Sequence, residues 1–315
     1  MFELTILGNS AATPAHDRHP SSQLLSFTHN RFLIDCGEGT QMQCLRFHVK
    51  INKINHIMIS HLHGDHYLGL IGLLSSMHLQ KRAEDINLFG PRELGEIIRI
   101  SLKHSQTRFN YKVNFFEVPH DISEVVFEDN QITVESIPLE HRIKCSGYLF
   151  KEKPKKRKII KDKLPEKIPV NFYKTLKEGN DILDENGDVL YKVEDYTQRG
   201  KSYSFAYCSD TRYSERIIPL IQHVDMLYHE ATFMEEEADK AELTFHSTAQ
   251  QAATIALKAG VNKLILGHFS SRYKTLRPLL YESRAIFANS HLGLEGHIYK
   301  PDKEGETLLD EEEEE

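Results

Sequence analysis

The chain has 315 residues, which is enough for one large domain or two small ones with a substantial buried core. Charged residues make up 27% and the AVILMFWYC set 40%, which is ordinary for a soluble globular protein, and no apolar run approaches the roughly eighteen residues that a membrane span needs. The formal net charge of -7 argues mildly against a nucleic-acid partner, although two opposite local charge runs lie behind that average.

The N-terminus and the cysteines indicate a cytoplasmic protein. Residues Met1–Thr5 lack the basic region and apolar stretch of a secretory signal. Four widely spaced cysteines form no CxxC pair and are predicted to be reduced, mostly buried thiols: Cys36, Cys44, Cys145 and Cys208. Histidine is unusually frequent, with 18 copies.

Short runs rich in β-branched and aromatic residues, bounded by Gly, Asp, Pro or His, predict strands along the whole chain. In chain order they are Phe2–Leu7, Phe32–Asp35, Ile57–Ser60, Ile86–Phe89, Phe115–Val118, Ile132–Ile137, Tyr203–Cys208, Met226–His229 and Lys263–Leu266. Several of these strands are close neighbours in sequence, and helical patterns lie between others. This order favours an α/β architecture of two sheets with helices outside over a single doubly wound parallel sheet.

Two segments show the spacing of amphipathic helices. Apolar residues follow the i, i+3, i+4, i+7 stripe at Leu70, Leu73, Leu74 and Met77, and again at Ala249, Ala252, Ala253 and Ala256. Ser247, with Gln250 three residues later, predicts a capping box at the start of the second helix. Pro91 suits the first turn of a helix running toward Ser105.

Two charge runs interrupt the pattern of strands and helices. Residues 151–167 contain nine basic side chains against three acidic ones, together with two prolines. The last six residues, Asp310–Glu315, are all acidic and are predicted to form a disordered tail.

The strongest local motif is His61-Leu62-His63-Gly64-Asp65-His66, directly after a predicted strand. In an extended backbone, residues two apart point to the same side, so His61, His63 and Asp65 can project together. Imidazole and carboxylate are the ligands that zinc prefers outside thiolate sites. Four such side chains exceed what one metal ion needs from one loop, which indicates two neighbouring ions; the alternative is a surface histidine cluster.

Three more candidate ligands follow later strands, where polar residues interrupt apolar runs. They are His141, Asp210 and His268. Each alone is more often a turn or helix-cap residue than a ligand. All three occupy the same kind of position as the first motif, and one edge of a sheet is where a scaffold gathers active-site groups.

The ordered set of these motifs resembles the metallo-β-lactamase superfamily. Within it, the chain is similar to the ribonuclease Z family, endonucleases that trim the 3′ trailer from precursor tRNA, over about residues 7–287. The segments that carry this resemblance are His61–His66, His141, Ser209–Thr211, Gly267–Tyr273, Asp35–Gln41, His229–Phe233, Phe245–Thr248 and Leu176–Gly179.

The resemblance implies a four-layer αβ/βα sandwich over residues 1–305, with a protruding basic exosite arm inserted at about 151–195. It also implies two Zn²⁺ ions per subunit, although Mn²⁺ or Fe²⁺ can occupy such N/O sites. One ion would be held by His61, His63 and His141, and the other by Asp65, His66 and His268. Asp210 would bridge both.

The same resemblance implies the catalytic roles. Asp65 would orient the attacking water or accept its proton, and His246, positioned by Glu230, would protonate the leaving oxygen. The alternative is that His246 merely precedes a helix cap and that Glu230 is a surface carboxylate. Asp35 is expected to steady a ligand or loop.

Substrate contacts are predicted at two places. Arg272 could bind a phosphate through its guanidinium, or could form a structural salt bridge. The basic run could neutralise phosphates of the tRNA body, or could be a solvated insertion without a role, and its candidate residues are Lys155, Lys156, Arg157 and Lys158. The turn Ile168–Tyr173 lacks the glycine of common bacterial arms. The loop Gly8–Ser22 is a further candidate near the cut.

Two other functions remain open. A small-molecule phosphodiesterase or another hydrolase on the same two-metal scaffold would share the ligands, but would not need the basic insertion. A non-enzymatic RNA-binding subunit would have a degenerate metal site, yet every ligand position is occupied. The expected partners are precursor tRNA and, by resemblance only, a second copy in a homodimer, with no membrane.

Overall fold

The structure is a computed structural model that describes residues 2–165 and 168–302. The predicted acidic tail and Lys167 of the basic run lie outside these residues. Within them, the chain divides into two compact units. The larger unit comprises residues 2–127, 134–150 and 204–302, and the smaller unit comprises residues 128–133 and 151–203. The predicted arm falls within the smaller unit, and its role as a protruding exosite stays a prediction.

The described residues form eighteen strands and nine α-helices. The strands are β1 (Phe2–Gly8), β2 (Ser22–Phe27), β3 (Asn30–Ile34), β4 (His56–Met58), β5 (Ile86–Gly90), β6 (Val113–Glu117), β7 (Val125–Glu128), β8 (Ile132–Pro138), β9 (Ser146–Glu152), β10 (Lys158–Ile159), β11 (Ile182–Leu183), β12 (Val189–Tyr191), β13 (Thr197–Gln198), β14 (Ser204–Cys208), β15 (Met226–Glu230), β16 (Leu264–Gly267), β17 (Ser290–Leu292) and β18 (Ile298–Tyr299). The helices are α1 (Thr40–Arg46), α2 (Gly64–Tyr67), α3 (Leu70–Leu79), α4 (Arg92–His104), α5 (Val170–Glu178), α6 (Val193–Tyr196), α7 (Ala238–Thr244), α8 (Ala249–Ala259) and α9 (Arg277–Ile286).

Two seven-stranded sheets form the centre of the fold. The first has the order β18-β1-β2-β3-β4-β5-β6, and the second has the order β17-β16-β15-β14-β9-β8-β7. In the first sheet β3 to β6 pair in parallel, and in the second β14 to β17 pair in parallel. The two sheets meet through aromatic side chains, among which Phe32 of β3 lies 5.2 Å from Phe150 of β9 between ring centroids.

Helices cover the outer face of each sheet, as the apolar stripes predict. Helix α3 buries Leu70, Leu73, Leu74 and Met77 in one core with α4 and the first sheet. Helix α8 buries its alanine face in a second core with α9 and the second sheet. The predicted αβ/βα sandwich is therefore confirmed.

The capping box of α8 is displaced by one residue from the predicted pair. Thr248, not Ser247, is the N-cap residue: its hydroxyl accepts from the backbone of Gln251, and the Gln251 side chain accepts from the backbone of Thr248. Ser247 donates its hydroxyl to the carbonyl of Thr211 instead. The serine is used in a tertiary contact, so the next hydroxyl residue caps the helix.

The smaller unit has its own small core of Leu176, Ile182 and Val193, surrounded by partly buried aromatic and aliphatic side chains. Two short antiparallel pairs, β10 with β13 and β11 with β12, accompany it. The four cysteines, all in the larger unit, are buried and unpaired, as predicted. None of the helices in the described ranges combines the length and the apolar character of a membrane span.

Candidate active site

The segment His61–His66 lies where strand β4 ends and helix α2 begins. Strand β4 pairs in parallel with β3 and β5, so the segment sits at the carboxyl edge of the first sheet, beside Asp35, which follows β3. His63 is the N-cap residue of α2 and keeps an extended backbone. The segment can therefore present His61 and His63 before the helix and Asp65 and His66 from its first turn.

The second sheet contributes candidate site residues in the same way. Asp210 follows β14, Glu230 is the last residue of β15, and His268 follows β16, all parallel strands. The carboxyl ends of parallel strands meet at one edge, which gathers side chains that are far apart in sequence. His141 joins them from the loop after β8.

The first ligand group consists of His61, His63, His141 and Asp210. The Nδ1 atom of His63 lies 3.1 Å from Nε2 of His61 and 3.0 Å from Nε2 of His141. Oδ2 of Asp210 lies 3.6 Å from Nε2 of His61 and 3.8 Å from Nε2 of His141. Four potential donor atoms therefore converge on one small volume.

The second ligand group consists of Asp65, His66 and His268, together with the other oxygen of Asp210. Nε2 of His66 lies 3.3 Å from Nε2 of His268, and each of these nitrogens lies 3.4 Å from Oδ2 of Asp65. Oδ1 of Asp210 is 3.3 Å from His66 and 3.2 Å from His268. The two oxygens of Asp210 thus face different groups, which is the geometry of a bridging carboxylate.

These separations fit divalent cations. Ligand bonds of about 2.1 Å in a tetrahedral arrangement place ligand atoms roughly 3.4 Å apart, close to the distances in both groups. Burial and the neighbouring histidines lower the pKa of His61, and burial also lowers the pKa values of His63 and His141, so their imidazoles are neutral. Neutral imidazole is the form that binds a metal ion.

The carboxylates have the matching charge state. Burial alone would raise the pKa values of Asp65 and Asp210, but the surrounding histidines hold both well below their usual range. Among the described residues, every ion pair of Asp65 and Asp210 is with a histidine and none is with lysine or arginine. Ionised, buried carboxylates that pair only with imidazoles, which can bind a metal ion themselves, are suited to a cation.

Asp35 contacts His66 of the second ligand group, and its predicted role of steadying a ligand stays a prediction. The side chain is fully buried, and its Oδ2 accepts hydrogen bonds from Tyr207 Oη at 2.6 Å, His66 Nδ1 at 2.7 Å and Ser60 Oγ at 2.9 Å. Its Oδ1 accepts from the backbone N–H of Ser60 at 2.7 Å. The bond to Nδ1 orients the His66 ring so that Nε2 faces the ligand group.

Two further contacts orient ligand rings. Nδ1 of His141 lies 2.9 Å from the carbonyl oxygen of Phe245, and Nδ1 of His268 lies 2.9 Å from the hydroxyl of Thr232. Thr232 in turn donates its hydroxyl to Glu230 at 2.6 Å. In both rings Nδ1 is hydrogen-bonded, so Nε2 faces the other members of the ligand group.

Glu230 and His246 form a pair beside the ligand groups. Glu230 is fully buried and lies 2.9 Å from Nδ1 of His246, and it also accepts from the backbone N–H groups of Thr211 and Ser247. Burial lowers the pKa of His246, but the Glu230 carboxylate outweighs that effect and raises the pKa to about 9. The imidazole is therefore protonated at neutral pH, with Nδ1 held by Glu230.

The site opens into a cavity of about 510 Å³. Its wall includes His63, Asp65, His141, His246 and His268, together with Ala12 and Pro14 of the loop that precedes β2. The backbone N–H of Ala12 donates to Oδ2 of Asp65 at 2.8 Å, so this loop touches a ligand directly. The cavity is large enough for a nucleotide-sized part of a substrate.

The predicted substrate residues have different surroundings. Lys155, Lys156 and Lys158 are exposed in the smaller unit, whereas Arg157 is buried there, with its Nε donating to Thr197 at 2.6 Å and its guanidinium paired with Glu194. These contacts commit Arg157 to the core of the smaller unit. In the larger unit, Arg272 pairs with Glu237 and lies over the Phe233 ring.

Some site residues were not predicted from the sequence. Thr232 lies within the quoted His229–Phe233 motif, but nothing local indicated that its hydroxyl would hold His268. Tyr207 resembles any core residue of a strand, although its hydroxyl holds Asp35. Arg142 follows a predicted ligand and is the one arginine or lysine among the described residues of the cavity wall. Its position beside His141 was the available signal.

Comparisons with known proteins show what the chain is similar to. A family model described as anti-Pycsar protein Apyc1 matches residues 2–156. Ribonuclease Z of Cytophaga hutchinsonii is 49% identical over 299 residues, which cover 95% of this chain and 96% of the relative. The crystal structure of human tRNase Z, short form, matches with a TM-score of 0.70 and 26% identity, covering 96% of this chain and 100% of that chain.

A more distant structure shows the fold alone. The metallo-β-lactamase fold protein YhfI of Bacillus subtilis matches with a TM-score of 0.66 and 16% identity, covering 95% of this chain and 100% of that one. Together with the match to human tRNase Z, it confirms the predicted fold class. Identity of 49% along almost the full length of both chains places the protein more narrowly: it belongs to the ribonuclease Z family.

Proposed function

We propose that the protein is a metal-dependent endoribonuclease that removes the 3′ trailer of precursor tRNA and leaves a 3′-hydroxyl on the tRNA. One observation carries this proposal: two ligand groups that share Asp210 border one cavity, and His246, which is hydrogen-bonded to the buried Glu230, lines the same cavity. Membership of the ribonuclease Z family supports RNA as the substrate.

The ligand groups suit two zinc ions per subunit, one in each group. Nitrogen and oxygen donors also accept Mn²⁺ or Fe²⁺, so the donor set does not select zinc by itself. When bound, the cations neutralise the anionic phosphodiester and supply a water that ionises near neutral pH.

The residues of the chain then position the reactants and move the protons. Asp65, fixed by the N–H of Ala12, orients the attacking water, whose proton is lost to solvent as it ionises. The water oxygen bonds to phosphorus, the bond from phosphorus to the 3′-oxygen breaks, and His246 donates its Nε2 proton to that oxygen. Nδ1 of His246 is held by Glu230, while Nε2 has no hydrogen-bond partner among the described residues, so its proton is available.

Asp65→Ala tests the reaction itself. Incubated with a 3′-extended precursor tRNA, the wild type should cut near the discriminator base, and the variant should be inactive. Asp239→Ala, an exposed aspartate on α7, is the matched control and should cut like the wild type. Absence of cleavage by the metal-loaded wild type would refute the proposed substrate.

Arg142 is proposed to contact a phosphate next to the scissile bond. It is exposed, lines the cavity, and forms no ion pair or hydrogen bond with the described residues, unlike Arg272. Arg142→Met should raise KM for precursor tRNA about tenfold with little change in kcat, because a lost charged contact costs roughly 1.5 kcal/mol. Arg99→Met, on the exposed face of α4, should leave both constants unchanged.

The exposed lysines of the smaller unit are proposed to bind the tRNA body. Lys156→Glu/Lys158→Glu should weaken tRNA cleavage at least tenfold, because two phosphate contacts become repulsive, yet spare a small chromogenic phosphodiester. Lys50→Glu/Lys53→Glu in the larger unit makes the same change in net charge and should have little effect. Equal tRNA cleavage by both double variants, with faster turnover of the small substrate, would favour the small-molecule phosphodiesterase.

Two expectations accompany the proposal. A homodimer, in which one subunit's arm serves the other's active site, predicts a mass twice that of the chain in light scattering. A cytoplasmic location is consistent with an enzyme of tRNA processing, and fractionation of cells tests it.

A further inference from the structure

Phe245 adopts a backbone conformation that its residue type disfavours. It ends helix α7 with φ 59° and ψ 48°, in the left-handed region where glycine is the usual residue. A side chain with a β-carbon pays for that conformation in free energy. A phenylalanine at this position therefore needs contacts that hold it there.

Phe245 links two important site residues. Its carbonyl oxygen lies 2.9 Å from Nδ1 of His141, a member of the first ligand group. The next residue is His246, whose backbone N–H donates to Ala241 at the end of the same helix. The conformation of Phe245 thus sets both the ring of His141 and the start of the segment that carries His246.

Arg212 packs its guanidinium against one face of the Phe245 ring. Its guanidinium lies over the phenyl ring, 4.8 Å from the centroid. Its Nε donates to Glu140 at 3.1 Å, and its Nη1 donates to Glu242 of α7 at 2.9 Å. The backbone N–H of Arg212 also donates to the carbonyl of Glu140 at 3.0 Å.

These contacts join three segments that each carry a site residue. Glu140 directly precedes His141, Arg212 is two residues after Asp210, and Glu242 lies four residues before His246. Resting on the function proposed above, we infer that Arg212 is a positioning residue, which clamps Phe245 in its left-handed conformation and so fixes His141 and His246 relative to Asp210. Arg212 itself touches no substrate in this role.

The neighbouring Arg216 provides a matched control. It also faces Glu140, at 3.6 Å, but it is 79% exposed and has no contact with the Phe245 ring. Removal of Arg216 takes away the same charge from the same carboxylate and leaves the clamp intact. A general electrostatic effect on Glu140 would affect both arginine variants equally.

The first test measures metal binding and needs no RNA. The full chain is stripped of metal, and its affinity for Co²⁺ is measured by competition with a chromophoric chelator. Arg212→Met should bind Co²⁺ at least tenfold more weakly and show an altered visible spectrum, because loss of a contact that orients a ligand typically costs 10–100-fold. Arg216→Met should stay within twofold of the wild type, and Arg212→Lys should recover part of the loss.

The second test asks whether Arg212 acts through the phenyl ring. Glycine adopts φ 59° without steric cost and needs no clamp, so Phe245→Gly should bind Co²⁺ within about threefold of the wild type. If Arg212 acts through the phenyl ring, Arg212→Met should cost little further affinity in the Phe245→Gly background. The full tenfold loss in that background would overturn the clamp, as would Arg212→Met matching Arg216→Met.

Kinetics separate this inference from the proposed function. With precursor tRNA, Arg212→Met should lower kcat at least tenfold with KM unchanged, because the side chain positions catalytic groups and binds no RNA. A wild type that cuts no tRNA would refute the function, while the Co²⁺ affinities would still decide the role of Arg212. Should Arg212→Met fail to fold, Arg212→Lys in the wild-type and Phe245→Gly backgrounds carries the same comparison.

Discussion

Asp35 shows how much of this site depends on a residue that is not a candidate ligand. Its φ of 57° lies in the left-handed region, which aspartate enters more readily than most residues. That conformation turns the carboxylate inward, where it accepts from four donors on Ser60, His66 and Tyr207. One buried side chain thus ties the first sheet, the ligand segment and the second sheet together.

Asp35→Asn should damage metal binding as well as stability. The amide has the same shape, but its NH₂ group must face a donor whichever way it turns, since both carboxylate oxygens now accept. We expect a loss of about 1–3 kcal/mol in the free energy of unfolding and of roughly 10–100-fold in metal affinity. Urea unfolding and chelator competition measure the two effects.

Asp225→Asn separates these effects. Asp225 is also a buried carboxylate and accepts from the backbone and hydroxyl of Ser204, but it lies away from the ligands. The Asp225→Asn variant should be less stable than the wild type and should keep the metal affinity of the wild type. If Asp35→Asn behaves like Asp225→Asn, Asp35 only supports the fold.

Individual site residues could be proposed from the sequence wherever they stood in a local motif. The ligands of the first motif, and Asp210 beside its serine and threonine, could be proposed because polar residues interrupt apolar runs. Phe245 and Tyr207 could not, because their roles depend on partners far away in the sequence. The contact of Phe245 with His141 spans 104 positions, and no spacing within one element encodes it.

Among the helices and strands, the elements with strong apolar periodicity were predicted best from the sequence. All eight residues of the predicted apolar stripes of α3 and α8 are buried, because burial of a helix repeats every 3.6 residues. Helix α8 also buries Ile255 and Ala259, which were not predicted. Strands β2 and β9 were not predicted. In β9 the run is broken by Gly147, where an added Cβ would lie 2.4 Å from the carbonyl of Tyr207, so close packing between strands requires the residue that weakens the pattern.

Strand β17, at the edge of the second sheet, carries a buried histidine that can take up a proton. It carries His291, which is only 8% exposed. Burial, together with the positive charges of Lys263 and Arg284, lowers the pKa of His291 to about 4. The histidine is therefore neutral in the folded protein over the whole range in which a free histidine takes up a proton.

This burial makes the stability of the fold depend on pH. Because the folded pKa is depressed, the unfolded chain binds a proton first as the pH falls below about 6.5, and stability is lost until the pH reaches about 4. Between pH 7 and pH 5 this one group should cost about 2 kcal/mol in the free energy of unfolding. Urea unfolding at the two pH values should show that His291→Gln loses less stability than the wild type by that amount.

His104→Gln on the exposed end of α4 is the control for the pH experiment. It removes a histidine without changing a buried one, so its drop in stability between pH 7 and pH 5 should equal that of the wild type. An equal drop in all three proteins would show that His291 is protonated in the folded state.

For the whole molecule, the site concentrates negative charge in the interior. Asp35, Asp65, Asp210 and Glu230 all lie at or below 9% side-chain exposure. Burial of charge is costly unless it is compensated, and among the described residues Asp65 and Asp210 pair only with histidines. Divalent cations would therefore stabilise the fold as well as the reaction.

The two compact units should respond to metal differently. All seven proposed ligands belong to the larger unit, and none belongs to the smaller one. A ligand that binds only the native state stabilises it by about 2.7 kcal/mol at a hundred times its Kd. For a unit of this size that corresponds to a rise in Tm of about 5–10 °C.

Scanning calorimetry of the intact chain, with chelator and then with excess Zn²⁺, tests this expectation. The transition of the larger unit should rise with metal, and any separate transition of the smaller unit should stay where it is. Asp210→Asn removes one of the two charged oxygens that join the ligand groups, so its Tm should rise less. If the Tm of the wild type does not change with added Zn²⁺, the buried carboxylates bind no cation. Their charge would then already be compensated within the fold.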